Sequence, residues 1–132
     1  SCSDETQDFN MVNQPTSYLY VGNVTGTITM LNNPTTQATF PTGNIASVKY
    51  TKNPQSNNIV YTLTVNYKPE ESSTSLAKEV ITLTKIGDKY YNDSDKNYIE
   101  VKVDGSLENS EFTITSVTGS NAVFTNLKFT RS

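Results

Sequence analysis

The chain contains no histidine, no tryptophan and a single cysteine among 132 residues. Without histidine there is no Ser–His or Cys–His nucleophilic machinery, and the commonest transition-metal ligand is missing as well. One thiol cannot build a cysteine zinc site, nor can it close an intrachain disulfide. A glycosidase needs only two carboxylates, so composition alone does not exclude one. The acidic residues, however, fall mostly in turn segments or on the polar faces of alternating stretches, where solubility accounts for them. The sequence therefore points away from an enzyme and calls for no cofactor. No run of about 18 apolar residues is present, so no segment reads as a membrane-spanning helix. Charged residues make up only 17% and the net charge is −3, with a pI near 4.8. Such a chain offers no basic patch for phosphates, and nucleic acid is not an expected partner.

Hydrophobic residues amount to 34%, with Thr, Asn and Ser filling the difference from an average globular protein. A disordered chain would combine that low hydrophobicity with high net charge. Here the net charge is small and the apolar positions are regularly spaced, which predicts one folded domain. Eight tyrosines and five phenylalanines, with abundant threonine, suit the half-buried surface of a sheet.

Alternation of apolar and polar residues recurs from about Tyr18 to the end of the chain. In the stretch from Asn58 to Lys68, Ile59, Tyr61, Leu63, Val65 and Tyr67 share one face, predicting a strand buried on one side. A similar pattern over Asn97 to Asp104 predicts Ile99, Val101 and Val103 inward, with Tyr98, Glu100 and Lys102 outward. Further strands are predicted over Tyr18–Leu31, Ile45–Thr51, Lys78–Lys85, Glu111–Val117 and Ala122–Thr130. In the last, Val123, Leu127 and Phe129 are placed on one side. Gly22 and Gly26 inside the first strand suggest a bulge or sharp bend. Asn32-Asn33-Pro34, Asn53-Pro54, Gly87-Asp88, Asp104-Gly105 and Gly119-Ser120-Asn121 supply turns between the runs. Pro69 to Ala77 reads as a loop or a single helical turn. Seven to nine antiparallel strands without helix predict an all-β domain, with a small barrel favoured over a β-sandwich.

Two stretches carry candidate ligand chemistry. Asp93, Asp95 and Asn97 have the spacing of the oxygen ligands that open a calcium loop, but Tyr98 stands where that loop needs Gly. An Asp/Asn-rich hairpin turn is the simpler reading. Tyr90, Tyr91 and Tyr98 are candidates for an aromatic surface that stacks on a sugar, against the plainer expectation that they are half-buried strand residues. For Tyr61 and Tyr67 the alternation predicts core packing with the hydroxyl at a rim.

Ser1-Cys2-Ser3-Asp4-Glu5 resembles the start of a processed bacterial lipoprotein. In that family a small residue precedes a cysteine whose sulfur is alkylated with diacylglycerol, and a short acidic stretch follows in many surface lipoproteins of the Bacteroidetes. The resemblance implies lipidation of Cys2, membrane attachment through that lipid, and a surface-exposed outer-membrane address in the cell envelope. Residues 1–17 then read as lipoprotein N-terminus and tether, and 18–132 as the β domain. Together with the glycine-interrupted first strand (Tyr20-Val21-Gly22 and Thr25-Gly26-Thr27) and the strand-rich end at Phe129, the chain resembles small calycin-like or lipocalin-like lipoproteins of that group. The Trp that follows a Gly in the first strand of true lipocalins has no counterpart here. The resemblance implies an up-and-down barrel and a binding module for a glycan or small hydrophobic molecule. The alternative is a structural or adhesin-like protein, or an accessory subunit with a protein partner at the cell surface.

Overall fold

The computed structural model describes residues 14–93 and 97–132. Nine strands are formed: β1 (Thr16–Met30), β2 (Ala46–Lys52), β3 (Ile59–Tyr67), β4 (Ala77–Ile86), β5 (Lys89–Asn92), β6 (Glu100–Val101), β7 (Val103–Asp104), β8 (Glu111–Thr118) and β9 (Ala122–Arg131). They build one sheet in the order β6-β5-β4-β3-β2-β1-β9-β8-β7, and every pairing is antiparallel. Consecutive strands are neighbours from β1 to β6 and from β7 to β9, and β1 also pairs with β9, so the meander curls round on itself. Its two edges, β6 and β7, are separated in the chain by Lys102 alone. One short extended segment thus pairs with β5 on one side and β8 on the other, leaving a nearly closed barrel. The Thr115 N–H donates to the Lys102 carbonyl at 3.0 Å. Across the same seam the Asn92 side-chain amide donates to the Thr118 carbonyl at 3.0 Å. Closure of this kind removes the unpaired edges that would otherwise recruit other strands.

Alternation decides what fills the barrel. From β3 the residues Tyr61, Leu63, Val65 and Tyr67 point inward and are buried, while Thr62, Thr64 and Asn66 lie on the other face. Val48 and Tyr50 of β2, Ile81 and Leu83 of β4, and Phe112 and Ile114 of β8 follow the same rule. Aromatic rings occupy much of the interior. Phe112 stacks on Phe129 at 5.0 Å, and Phe124 meets Tyr67 edge-on at 5.7 Å and Phe40 at 5.8 Å.

The phase of β9 departs from the prediction. Ala122 and Phe124 are buried where Val123 was expected, and only Leu127 and Phe129 fall as anticipated. The cause is an irregularity in the pairing with β1. Thr25 faces Lys128, yet Thr27 faces Thr125, so β9 holds one extra residue there. Asn126 takes up that residue with φ 51°. Opposite it, Gly26 has φ 144°, and a Cβ there would lie 2.8 Å from the Asn126 carbonyl oxygen. The irregularity that the glycines of the first strand suggested thus lies opposite Gly26, with the extra residue on β9 rather than on β1.

The expected strand over 97–104 is also shorter than predicted. Tyr98 has φ 49°, which breaks the extended conformation. Pairing begins only at Glu100, and Ile99 is 58% exposed rather than inward. At the other end of the domain β1 starts at Thr16, so pairing reaches two residues into the stretch assigned to the tether. Residues 69–76 form turns between β3 and β4.

One carboxylate lies inside the fold. Glu79, 3% exposed on β4, accepts hydrogen bonds from the backbone N–H groups of Asn121 (2.8 Å) and Ala122 (3.2 Å). It thereby fixes the β8–β9 turn to the far side of the barrel. Truncating Glu79→Ala strands a buried N–H at Ala122 and is expected to cost about 2–3 kcal/mol, the scale of hydrogen bonds to a charged group. Glu79→Gln, which keeps an acceptor oxygen, should lose less. Urea unfolding midpoints of the two variants check both the loss and its order.

Candidate rim site at one end of the barrel

The antiparallel register brings the N-terminal end of β1, the end of β2, the start of β3 and the β4–β5 turn to the same end of the barrel. Five tyrosines converge there. Tyr18 stacks on Tyr50 with ring centres 4.9 Å apart, and Tyr20 lies 5.9 Å from Tyr50. Tyr50 continues to Tyr61 at 5.1 Å, and Tyr61 to Tyr90 at 5.7 Å. The ladder arises because inward positions recur every second residue: Tyr18 and Tyr20 on β1, Tyr50 facing Tyr18 across the β1–β2 pair, and Tyr61 facing Tyr50 across β2–β3. Tyr50, Tyr61 and Tyr90 are buried, whereas Tyr18 and Tyr20 are half-buried at the mouth.

The connection after β7 folds over this end. Leu107 is fully buried, and its N–H donates to the Tyr90 hydroxyl at 3.3 Å. Beside it, the Glu108 carboxylate accepts from the Tyr61 hydroxyl at 2.6 Å and pairs with Lys52 at 2.7 Å. The Tyr20 and Tyr50 hydroxyls share a hydrogen bond of 3.2 Å. Lys52 also lies 6.0 Å from the ring centres of both Tyr18 and Tyr50. Outside the plug, Thr16, Tyr18, Lys52, Asn53, Pro54 and Ile59 line an open cleft of about 330 Å³.

These contacts set the protonation of the site. Burial raises the Glu108 carboxyl, but hydrogen bonds from Lys52 and Tyr61 outweigh it and hold the group below its ordinary value. The Lys52 ammonium is raised by its bond to Glu108. Burial pushes the Tyr61 phenol up, and its bond to Glu108 adds to the shift. Tyr50 is raised by burial and then by its bond to Tyr20. A phenol raised on folding keeps its proton when the unfolded chain has lost it, so it stabilises the fold below the unfolded value near 10 and loses that contribution as pH climbs further. Stability should therefore fall above about pH 10. In tyrosinate absorbance at 295 nm, the contribution of Tyr50 and Tyr61 should appear only with unfolding. Glu108 acts in the opposite sense: its contribution is present above the ordinary carboxyl value and lost as pH falls through its depressed folded value.

Of the residues singled out from sequence, Tyr90 belongs to this ladder. Tyr91, its neighbour on β5, points to the opposite face and pairs with Glu100, and Tyr98 is 55% exposed beyond the strand. The three do not share one surface. Asp93 donates its backbone N–H to the Thr82 carbonyl at 2.8 Å. Asp95 and Cys2 lie outside the described residues. Among the described residues, no group of three acidic or other metal-ligating side chains is close enough to hold an ion. Sequence reasoning missed Tyr18, Tyr20, Tyr50, Lys52 and Glu108 as a group. The available signal was the spacing of Tyr18 and Tyr20, with Lys52 two positions beyond Tyr50. No protein-family model matches the chain, and no curated protein or solved structure matches it either.

Proposed function

We propose that this domain is a non-catalytic binding module that takes a glycan at the tyrosine rim. The observation carrying the proposal is the cleft beside Tyr18, where an aromatic ring, an ammonium and polar side chains open together to solvent. An aromatic face suits the apolar face of a pyranose, while Thr16, Asn53 and Lys52 supply hydrogen-bonding partners of the kind that fix orientation. Buried rings and aliphatic side chains occupy the barrel interior, which favours a ligand held at the mouth over a hydrophobic molecule enclosed within. Titration calorimetry against a panel of oligosaccharides tests the reading. A sugar that binds should lose about tenfold in affinity, or ~1.4 kcal/mol, in Tyr18→Ala. Binding that ignores this substitution counts against the rim.

Attachment to the cell envelope through a lipid on Cys2 belongs to the same proposal and rests on the Ser1-Cys2-Ser3-Asp4-Glu5 motif. Expressed behind a bacterial lipoprotein signal peptide, the chain should fractionate with membranes and incorporate labelled palmitate. Cys2→Ser should do neither.

A second reading, an interaction protein, is favoured by a different feature. Leu19 (63% exposed) and Val21 (45%) lie on the outer face of β1 two residues apart, an apolar pair whose partners on β2 are Lys49 and Ser47.

A further inference from the structure

Resting on the reading of the rim as a glycan site, we infer that the sugar it takes carries an anionic group, a carboxylate or a sulfate. Charge is distributed unevenly between the two ends of the barrel. On β2 the inward positions run Ala46, Val48, Tyr50 and then Lys52; on β4 they run Ile81, Leu83 and then Lys85; on β9 they run Leu127, Phe129 and then Arg131. Each of these strands thus ends its buried row with a cation, and all three ends meet at the tyrosine end of the barrel.

Every one of these cations sits over a ring of the ladder. The Arg131 guanidinium lies 3.8 Å from the Tyr20 ring centre, Lys85 lies 5.7 Å from that of Tyr90, and Lys52 lies over Tyr18 and Tyr50. A ring face attracts a cation and fixes its place without neutralising it. Among the described residues Glu108 is the one carboxylate paired with a member of the group: it bonds Lys52 and the Tyr61 hydroxyl, and the Lys85 charge also acts on it without an ion pair. Among the described residues no carboxylate pairs with Lys85 or Arg131. Glu100 and Glu111 pair elsewhere, with Lys102 and Lys128, and Asp88, in the β4–β5 turn, pairs with neither cation. Among the described residues, this end therefore gathers three cations around one carboxylate, and only Lys52 forms an ion pair with it.

The opposite end shows the reverse. Its inward positions are Met30, Ala46, Tyr67, Ala77 and Glu79, with no cation among them. A neutral sugar needs no such asymmetry. A guanidinium held 3.8 Å from a tyrosine ring centre keeps N–H donors for a carboxylate or sulfate, while the adjacent rings receive the sugar body.

Three tetrasaccharides of comparable size separate the possibilities: tetragalacturonate, which carries carboxylates; a carrageenan tetrasaccharide, which carries sulfate alone; and neutral β-1,4-galactotetraose. The proposal expects one or both charged probes to bind at least ~10-fold tighter than the neutral one at low salt, the range of a charge-assisted contact. That preference should shrink as ionic strength rises. Arg131→Leu and Lys85→Met should each weaken the charged probe by about tenfold and leave unfolding midpoints near wild type, since both side chains stand at the mouth. The wild-type salt dependence reads the same claim without any substitution. Preferential binding of the neutral tetrasaccharide at the rim would overturn the anionic inference and leave the glycan reading standing. Binding of none of the three would overturn both. Charged-probe binding that is indifferent to salt and to both substitutions would also overturn the inference.

Discussion

Replacing Phe124 with alanine is expected to destabilise the domain by about 3–5 kcal/mol, the range for emptying a buried aromatic site. Phe124 is fully buried on β9, with its ring against Tyr67 of β3 and Phe40 of the β1–β2 connection. Those two rings come from distant parts of the chain, so neither can follow the backbone into the space left behind. The loss is a large fraction of the roughly 5–15 kcal/mol that holds a domain of this size together. Phe40 would also lose the ring that packs the β1–β2 connection onto the barrel, and amide exchange in residues 31–45 should accelerate beyond what global destabilisation requires. Thermal and urea unfolding, with exchange measured on the same variant, separate the two effects.

Gly22→Val should rival it. A Cβ at position 22 would overlap the backbone carbonyl of Thr130 and come within 2.9 Å of Phe129 Cζ. Gly22 is buried on the inward face of β1, opposite Arg131, where the absent side chain lets the Phe129 ring and the β9 backbone approach. A carbonyl held in the β1–β9 ladder cannot rotate aside, so relief requires the strands that close the barrel to part. The expected cost is at least about 3 kcal/mol, the upper end of overpacking losses. Gly22→Ala should already show most of it. Near-UV circular dichroism of the tyrosines should weaken along with stability, because Tyr20, two residues away, stands on the same face.

The strands that could be read from the sequence were those whose burial depends on alternation alone. In β3 every second residue from Ile59 to Tyr67 is apolar, and the observed strand matches the expectation to within a residue at either end. The hairpin at Gly87-Asp88 was equally plain, with Ile86 facing Lys89 across it. Where the backbone leaves the extended region, alternation misleads. Asn126 adds one residue to β9 and moves Phe124 rather than Val123 into the core, and the only hint lay on a different strand, at Gly26. Tyr98 ended the alternating run early and left Ile99 in solvent, although nothing in its side chain announces a positive φ.

The rim was less legible for a related reason. Tyr90, Tyr91 and Tyr98 are close in sequence, but adjacent strand residues face opposite ways, so proximity along the chain worked against a shared surface. The tyrosines that do meet come from β1, β2, β3 and β5, and the Tyr61–Glu108 bond spans 47 residues. Only the register of several strand pairs at once determines that meeting.

The absence of tryptophan makes tyrosine the natural reporter of the mouth, and the central claim is that ligand binds there. Nitrogen-15 and aromatic carbon-13 NMR titration of the wild-type domain with tetragalacturonate is the most direct measurement. The account predicts saturable shifts confined to the rings of Tyr18 and Tyr20, the side chains of Lys52, Lys85 and Arg131, and the backbone of residues 53–59. Resonances of the opposite end, including Phe40 and Glu79, should stay in place. Saturable shifts centred on that opposite end, or on the outer face around Leu19 and Val21 with Tyr18 unmoved, would contradict it.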